Sequence, residues 1–291
     1  ASLILAVVIG LTIVAFGTSA PELAVSLSAA IKGSNDIAIG NVVGSNMFNL
    51  LVVIGVSAMI SPLTVKKSMI KKDYPLSIFA VLLLGVLCLD SVLFQAKETT
   101  LGRMDGMILL VCFAFFMCIT VREGLRGRKD AQKEHEEEVE NMSFPMGKSI
   151  LLLIVGLAGI VFGGDLSVEG AKEIARAFGL SEALIGLTIV AVGTSLPELV
   201  TSIVAARKGE SDIALGNVVG SNLFNVFFIL GSSAAILPMH VSGTYVYDIG
   251  LLILVSVLIY IPIVKNQKVG RVMGTVMTLS YVAYTAYLIM R

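Results

Sequence analysis

Two stretches of this chain are nearly the same. Residues 10–55 read GLTIVAFGTSAPELAVSLSAAIKGSNDIAIGNVVGSNMFNLLVVIG, and residues 186–231 read GLTIVAVGTSLPELVTSIVAARKGESDIALGNVVGSNLFNVFFILG. About 30 of the 46 aligned positions are identical, with no gap. Apolar helices matched by chance would share Leu, Ile and Val. These copies also share Thr, Ser, Pro, Glu, Lys, Asp, Asn and Gly, so the repeat is a property of the architecture. Both place Pro-Glu inside an apolar run, as Pro21-Glu22 and Pro197-Glu198.

The surrounding chain is 56% hydrophobic and 14% charged, with mean hydropathy +0.92, against about 25% charged residues in a soluble domain. Apolar runs of around 20 residues separated by short charged clusters predict an all-α integral membrane protein. Helices are expected near 3–31, 36–60, 74–95, 104–121, 149–177, 181–207, 212–236, 246–264 and 272–290. The two copies then begin five crossings apart. Five is odd, so the second copy runs through the bilayer in the opposite sense, an arrangement of secondary transporters with the site at the midplane. A helix over 149–177 precedes the second copy, whereas only residues 1–9 precede the first. The expectation is therefore nine helices of a complete ten (5+5), the first being absent. The halves are 1–121 and 149–291, joined by a polar loop over 122–148.

Lys and Arg are unevenly shared between the two sides. One side collects Lys66, Lys67, Lys71, Lys72, Arg122, Arg126, Arg128, Lys129, Lys133, Arg207, Lys208, Lys265, Lys268 and Arg271. That side is expected to be cytoplasmic, which puts residue 1 and the central loop inside and the C-terminus outside the cell (inner or plasma) membrane. The acidic run over 134–140 reads as solvated loop. Tyr245, Tyr247, Tyr281, Tyr284 and Tyr287 are expected as interface anchors. Cys88, Cys112 and Cys118 are expected as small core residues rather than disulfides. The formal net charge is zero, which gives a nucleic-acid partner no support; the expected partners are the lipid bilayer and transported ions, with the chain a monomer and no cofactor.

A carboxylate inside a transmembrane helix is costly and faces the bundle interior or an ion path. Glu22 and Glu198 recur at equivalent places in inverted copies, which favours a site over an incidental buried acid. Pro21 and Pro197 have no N–H, so the carbonyls of Gly17 and Gly193 lose their helical donors. Carbonyls of Ala15 and Thr18, and of Ala191 and Thr194, are then expected to turn inward, where protein, water or a cation must satisfy them. Thr18, Glu22 and Ser26 share a helix face, with Ser19 three residues from Glu22. Thr194, Ser195, Glu198 and Ser202 repeat the pattern. Asn41, Ser45 and Asn49 form an oxygen-bearing stripe, matched by Asn217, Ser221 and Asn225. The alternative for Asn41, Asn46 and their copies Asn217 and Asn222 is helix–helix hydrogen bonding alone. Gly40, Gly44, Gly216 and Gly220 permit close helix contact. The assembled groups are hard oxygen ligands, suited to Na⁺ or Ca²⁺ rather than a soft metal. Asp36 and Asp212 are expected as helix N-caps, Asp165 and Glu169 as structural or gating residues, and Asp90, Asp105 and Asp248 as interfacial.

GTSAPE and GTSLPE, each followed by GNVVGSN and FN, resemble the paired α-repeats of the sodium/calcium exchangers in the calcium/cation antiporter superfamily, of prokaryotic type. The resemblance implies ten helices in two inverted halves, and Na⁺ entry driving Ca²⁺ exit by alternating access. Its implied ion ligands are Ala15, Thr18, Ser19, Glu22, Ser45 and Asn49, with Ala191, Thr194, Ser195, Glu198, Ser221 and Asn225 in the second half; Ala15 and Ala191 would act through their carbonyls. It also implies K⁺ independence, because Asn225 stands where potassium-dependent members carry Asp. The alternative is proton-coupled Ca²⁺ exchange with Glu22 and Glu198 as proton carriers. An intramembrane enzyme would need an aspartyl pair or a serine with a positioned base. The histidines, His135 and His240, fall in loops.

Overall fold

The structure is a computed structural model that describes residues 14–89, 99–134 (side chains to 125) and 179–290, with isolated positions between 151 and 177. Asp90, Asp165, Glu169, the acidic run beyond residue 134 and most of the helix expected over 149–177 lie outside the described residues.

The first repeat opens with a broken span, α1 (Ala15–Thr18) and α2 (Ala20–Ile31), interrupted at Ser19 with φ −84° and ψ 10°. The expected single helix opened by its proline is instead two helices. Pro21 sits in the first turn of α2, where a proline needs no donor and its fixed φ suits the helix start. The second span is α3 (Asn35–Phe48), a π-helical turn (Asn49–Val53) and α4 (Ile54–Ile60). After strand β1 (Leu63–Thr64), a π turn (Met69–Asp73) leads into α5 (Tyr74–Leu87). Strand β2 (Thr100–Leu101) precedes α6 (Arg103–Glu134).

The second repeat follows the same plan. Helix α7 (Glu182–Ile185), a π turn (Gly186–Val190) and α8 (Ala191–Thr194) lead to a break at Ser195, with φ −89° and ψ 7°. Helix α9 (Leu196–Arg207) continues at 42° to the preceding segment. Then come α10 (Ser211–Leu223), a π turn (Phe224–Leu230) and α11 (Gly231–Ile236). Strand β3 (Met239–His240), α12 (Gly243–Asn266), β4 (Lys268–Val269) and α13 (Arg271–Met290) complete the chain. Among the described residues five helices are long and apolar enough to cross a membrane, or six with the α7–α9 segment counted as one broken span.

The halves interlock in two ways. At the centre, α3 lies against the turn Gly186–Val190 and α8. A Cβ on Gly44 would overlap the Leu187 carbonyl and stand 2.7 Å from Ala191 Cβ, so only a glycine lets these backbones approach this closely. At the two ends, β1 pairs antiparallel with β4 and β2 pairs antiparallel with β3. Each ribbon thus joins a strand of one half to a strand of the other. Two residues per strand satisfy the backbone where a helix has ended, a need that a bilayer sharpens. At the β1–β4 end, Lys66 pairs with Asp212 and the Thr64 N–H donates to Ser211 Oγ at 3.3 Å; Lys72 pairs with Glu123.

Several expectations are corrected. Helix α6 continues through residues 122–134, assigned to the loop, because Arg, Lys, Gln, Glu, Ala and Leu in this stretch are strong helix formers. Helix α5 ends at Leu87 rather than near 95. Asp36 and Asp212 lie within the first turns of α3 and α10, with no side-chain cap bond at either end; there they complement the helix dipole. Tyr245, Tyr281 and Tyr284 are buried in the bundle, while Tyr247 and Tyr287 are exposed. The Tyr245 hydroxyl donates to the Asp36 carbonyl at 2.6 Å, tying α12 to α3. Asp248 is fully buried, and Asp105 accepts a hydrogen bond from the Gly102 N–H at 2.8 Å. Of the three free cysteines Cys88 is buried, Cys112 is half-buried and Cys118 is exposed.

A Cβ at Gly44 has no room, whereas one at Gly250, on α12, meets nothing within 4 Å. Gly44→Ala is expected to destabilise the folded protein by about 1–3 kcal/mol, the cost of overpacking. Gly250→Ala is expected to be neutral or slightly stabilising. Thermal unfolding in detergent checks both.

Candidate cation-binding site

The breaks at Ser19 and Ser195 bring the two acidic motifs face to face at the middle of the bundle. All twelve residues expected at a site are buried, and Glu22 and Glu198 have no solvent exposure. Each carboxylate is held by the serine of the opposite half. The Ser19 hydroxyl donates to Glu198 Oε1 at 2.7 Å, and the Ser195 hydroxyl donates to Glu22 Oε1 at 2.8 Å. A broken helix makes this possible, since the helix ends expose Ser19 and Ser195 at the turn while Pro21 and Pro197 start the next segment.

The neighbouring threonines and asparagines cross in the same way. Thr18 Oγ1 donates to Asn217 Oδ1, and Thr194 Oγ1 donates to Asn41 Oδ1, both at 3.0 Å. The amide nitrogens of those asparagines turn back to their own half. Asn41 Nδ2 donates to the Glu22 carbonyl at 3.3 Å and to Ser26 Oγ at 2.9 Å. Asn217 Nδ2 donates to the Glu198 carbonyl at 3.2 Å and to Ser202 Oγ at 3.0 Å. Each asparagine therefore fixes the backbone of one glutamate and latches that glutamate's helix to the other half.

The Ala15 and Ala191 carbonyls were expected to be freed by the prolines. They keep helical donors, the Ser19 and Ser195 N–H groups at 2.9 and 3.1 Å. Each also accepts a hydroxyl from across the interface: Ser221 on Ala15 at 3.4 Å and Ser45 on Ala191 at 3.3 Å. A carbonyl has two lone pairs, so they reach the site as second acceptors rather than as orphans. The halves differ in their contacts to the two carboxylates. Ser221 also donates to Glu198 Oε1 at 3.2 Å, whereas Ser45 lies 3.5 Å from Thr194 Oγ1.

Asn46 and Asn222, outside the expected ligand set, orient two members of it. Asn46 Nδ2 donates to the Asn222 carbonyl at 3.3 Å. A backbone carbonyl only accepts, so this contact sets which end of the Asn46 amide carries nitrogen. Its oxygen then accepts from Asn225 Nδ2 at 3.0 Å. Asn49 Nδ2 likewise donates to Asn222 Oδ1 at 3.1 Å. With both nitrogens committed, Asn49 Oδ1 and Asn225 Oδ1 are left facing away from their amide partners. The sequence signal was the second asparagine of GNVVGSN in both copies, one residue off the four-spaced stripe.

Four of the buried side-chain oxygens that have no hydrogen-bond partner among the described residues belong to this site: Glu22 Oε2, Glu198 Oε2, Asn49 Oδ1 and Asn225 Oδ1. They form two pairs related by the repeat. A buried acceptor left unpaired costs about 1–3 kcal/mol, and an unpaired charge more. Four such oxygens, two of them on carboxylates, lie within a shell otherwise satisfied by hydroxyls. The arrangement suits hard metal cations, whose ligands are carboxylates, amide and backbone carbonyls. Among the described residues no group of three or more His, Cys, Asp or Glu could hold a metal, so a cation here would need neutral oxygens for most of its ligands.

The family described as "Sodium/calcium exchanger protein" matches residues 3–122 and 148–290. A protein named as an antiporter, CaxA of Alkalimonas amylolytica, is 38% identical over 283 residues, covering 95% of this chain and 86% of its own. The sodium/calcium exchanger MaX1 of Methanosarcina acetivorans is 34% identical, covering 97% of this chain and 88% of its own. Among solved structures, the sodium-calcium exchanger NCX_Mj soaked with Na⁺ and Sr²⁺ superposes with a TM-score of 0.76 at 34% identity, covering 97% of this chain and 86% of that chain.

The unequal contacts to the two carboxylates give a sharp expectation. Ser195→Ala leaves Glu22 Oε1 without its hydroxyl donor, at a cost of about 1–3 kcal/mol. Ser19→Ala leaves Glu198 Oε1 with Ser221 and costs less. Melting temperatures of the two variants should therefore rank Ser195→Ala below Ser19→Ala.

Proposed function

This chain belongs to the sodium/calcium exchanger family, and on that premise we propose that it exchanges Na⁺ for Ca²⁺ by alternating access. As a member of the family it is a membrane-embedded cation antiporter, a transporter and not an enzyme. The coupling ions, the ligands and the sidedness are our reading. The observation that carries it is the set of four unpartnered oxygens, Glu22 Oε2, Glu198 Oε2, Asn49 Oδ1 and Asn225 Oδ1. We assign the cation shell to these residues together with Thr18, Ser19, Ser45, Thr194, Ser195, Ser221 and the Ala15 and Ala191 carbonyls.

Exchange rather than leak follows from charge. Two buried carboxylates repel each other, and burying them uncompensated is expensive. One Ca²⁺, or a set of Na⁺ ions, cancels their charge. A loaded site can then be enclosed and re-opened on the other side, while an empty one resists enclosure. The halves, 1–121 and 149–291 with the segment 122–148 between them, supply one carboxylate each. The hydroxyl of each half rests on the carboxylate of the other, so any rocking of one half against the other remodels the shell. We place the end that carries Lys66, Lys72 and Lys268 in the cytoplasm on the Lys/Arg asymmetry, and the protein in the cell membrane as a monomer.

Proton-coupled exchange is the second reading, since two protons also neutralise two carboxylates. The free Asn49 and Asn225 oxygens favour metal ions on both arms, because an amide oxygen is a cation ligand and not a proton carrier. Reconstituted into proteoliposomes, the protein is expected to take up radiolabelled Ca²⁺ against an outward Na⁺ gradient and not against a pH gradient alone. Glu22→Gln and Glu198→Gln should each lower that uptake about 100-fold or more, the scale of losing one member of a buried charge set. Uptake near the unsubstituted rate in both variants would refute the assignment of the carboxylates; uptake driven by pH alone would select the proton reading.

A further inference from the structure

Two of the other buried polar groups without a hydrogen-bond partner among the described residues are serine hydroxyls. Ser57 Oγ and Ser233 Oγ are fully buried and make no hydrogen bond among the described residues. They occupy equivalent positions in the two repeats. Hydroxyls elsewhere in these helices bond to the carbonyl four residues back, the usual resort of Ser and Thr in an apolar helix. Thr120 donates to Phe116 at 2.9 Å, Ser256 to Leu252 at 2.7 Å, Ser280 to Val276 at 2.8 Å and Thr285 to Tyr281 at 3.0 Å. Ser57 and Ser233 do not use that bond, so each hydroxyl is directed away from its own backbone.

The helix geometry sets that direction. In an uninterrupted α-helix, Ser57 would be about 80° away from the Asn49 line, eight residues on. The π turn Asn49–Val53 lies between them. A π turn takes up about one extra residue, so Ser57 falls where the seventh residue would be, within about 20° of Asn49. The π turn Phe224–Leu230 does the same for Asn225 and Ser233. Gly55 packs against Gly274 of α13. Ser57, about 200° round the helix from Gly55, faces the side where α4 meets α9, the helix that carries Glu198. In the other half Gly231 packs against Gly106 of α6, and Ser233 turns to where α11 meets α2, which carries Glu22. The two hydroxyls thus continue the ligand stripes about 10–12 Å beyond Asn49 and Asn225 along the helix axis. Ser57 lies toward the β1–β4 end and Ser233 toward the β2–β3 end.

We propose that Ser57 and Ser233 are a second tier of cation-contacting positions, one on each side of the central site. There an alkali or alkaline-earth cation exchanges a shell water for a protein hydroxyl as it enters or leaves. The proposal rests on the exchanger reading above. It explains why two intramembrane hydroxyls forgo a backbone bond at equivalent positions, and why these two π turns each include a ligand asparagine near their start.

The test is exchange by the full chain in vesicles of defined orientation, with Ca²⁺ binding to the purified protein measured alongside. Ser57→Ala should raise the KM for Ca²⁺ presented at the Lys/Arg-rich face about 3- to 10-fold, the factor one hydroxyl contact carries, and leave the opposite face unchanged. Ser233→Ala should do the reverse. Ser57→Thr, which keeps the hydroxyl, should retain the unsubstituted KM. Equilibrium Ca²⁺ affinity should stay within about twofold in all three, because the central site is intact. An unchanged KM at both faces, or an equal change at both, overturns the proposal while leaving the exchanger reading in place. Absence of exchange by the unsubstituted chain overturns that reading and this proposal with it.

Discussion

Two carboxylates enclosed in the apolar middle of the bundle, each resting on a serine of the opposite half, are the constraint on which the rest of the structure depends. Glu22 and Glu198 have no solvent exposure, and each keeps one oxygen unpaired. Nothing in a hydrocarbon surrounding rewards such an arrangement. The chain nonetheless spends its most restrictive residues on building it. Ser19 and Ser195 take up the helix breaks, Pro21 and Pro197 start the following helices, and Gly44 lets α3 reach the backbone at Leu187 and Ala191. Asn41 and Asn217 hold the glutamate backbones from behind. These features share one outcome, a pocket of oxygens with charge to be cancelled.

The pseudo-symmetry explains how such a site can serve two sides. Each half contributes two ribbon strands, each paired with a strand of the other half, and each carboxylate accepts a serine hydroxyl across the interface. A movement that opens one end has a counterpart at the other, built from equivalent residues in reverse orientation. The symmetry is not complete. Ser221 reaches both Glu198 and the Ala15 carbonyl, whereas Ser45 reaches the Ala191 carbonyl and Thr194. The two carboxylates therefore sit in unequal shells.

Much of the site was legible because its residues contradict their surroundings. A glutamate after a proline in an apolar run has no structural excuse, and its recurrence in an inverted copy brings the two together. Four-residue spacing then named Thr18, Ser45, Asn49 and their counterparts. What stayed hidden depends on choices with small local signatures. Pro21 reads as a kink within a helix or as the start of a new one, and only the packing of Ser19 against Glu198 distinguishes them. The π turns at Asn49 and Phe224 are an extra residue with no composition of their own. Asn46 and Asn222 stayed outside the expected ligand set, and their role, turning the Asn225 and Asn49 oxygens outward, is a matter of amide polarity that spacing does not reveal. Residues 122–134 were taken for loop on polarity, although their helix propensity carries α6 to Glu134. Tyr245, Tyr281 and Tyr284 were read from ring chemistry as interface anchors, but lie inside the bundle.

On our proposal metal cations, and not protons or an internal side chain, complete the oxygen shell between the two glutamates. Anomalous scattering from crystals of this protein grown with Ca²⁺ or Sr²⁺ tests it most directly. A peak is expected to bridge Glu22 Oε2 and Glu198 Oε2 at about 2.3–2.6 Å, the range of Ca²⁺–oxygen bonds, and to weaken as Na⁺ is raised. Carboxylates in direct hydrogen-bond contact with each other, with no peak between them at saturating Ca²⁺, would contradict it.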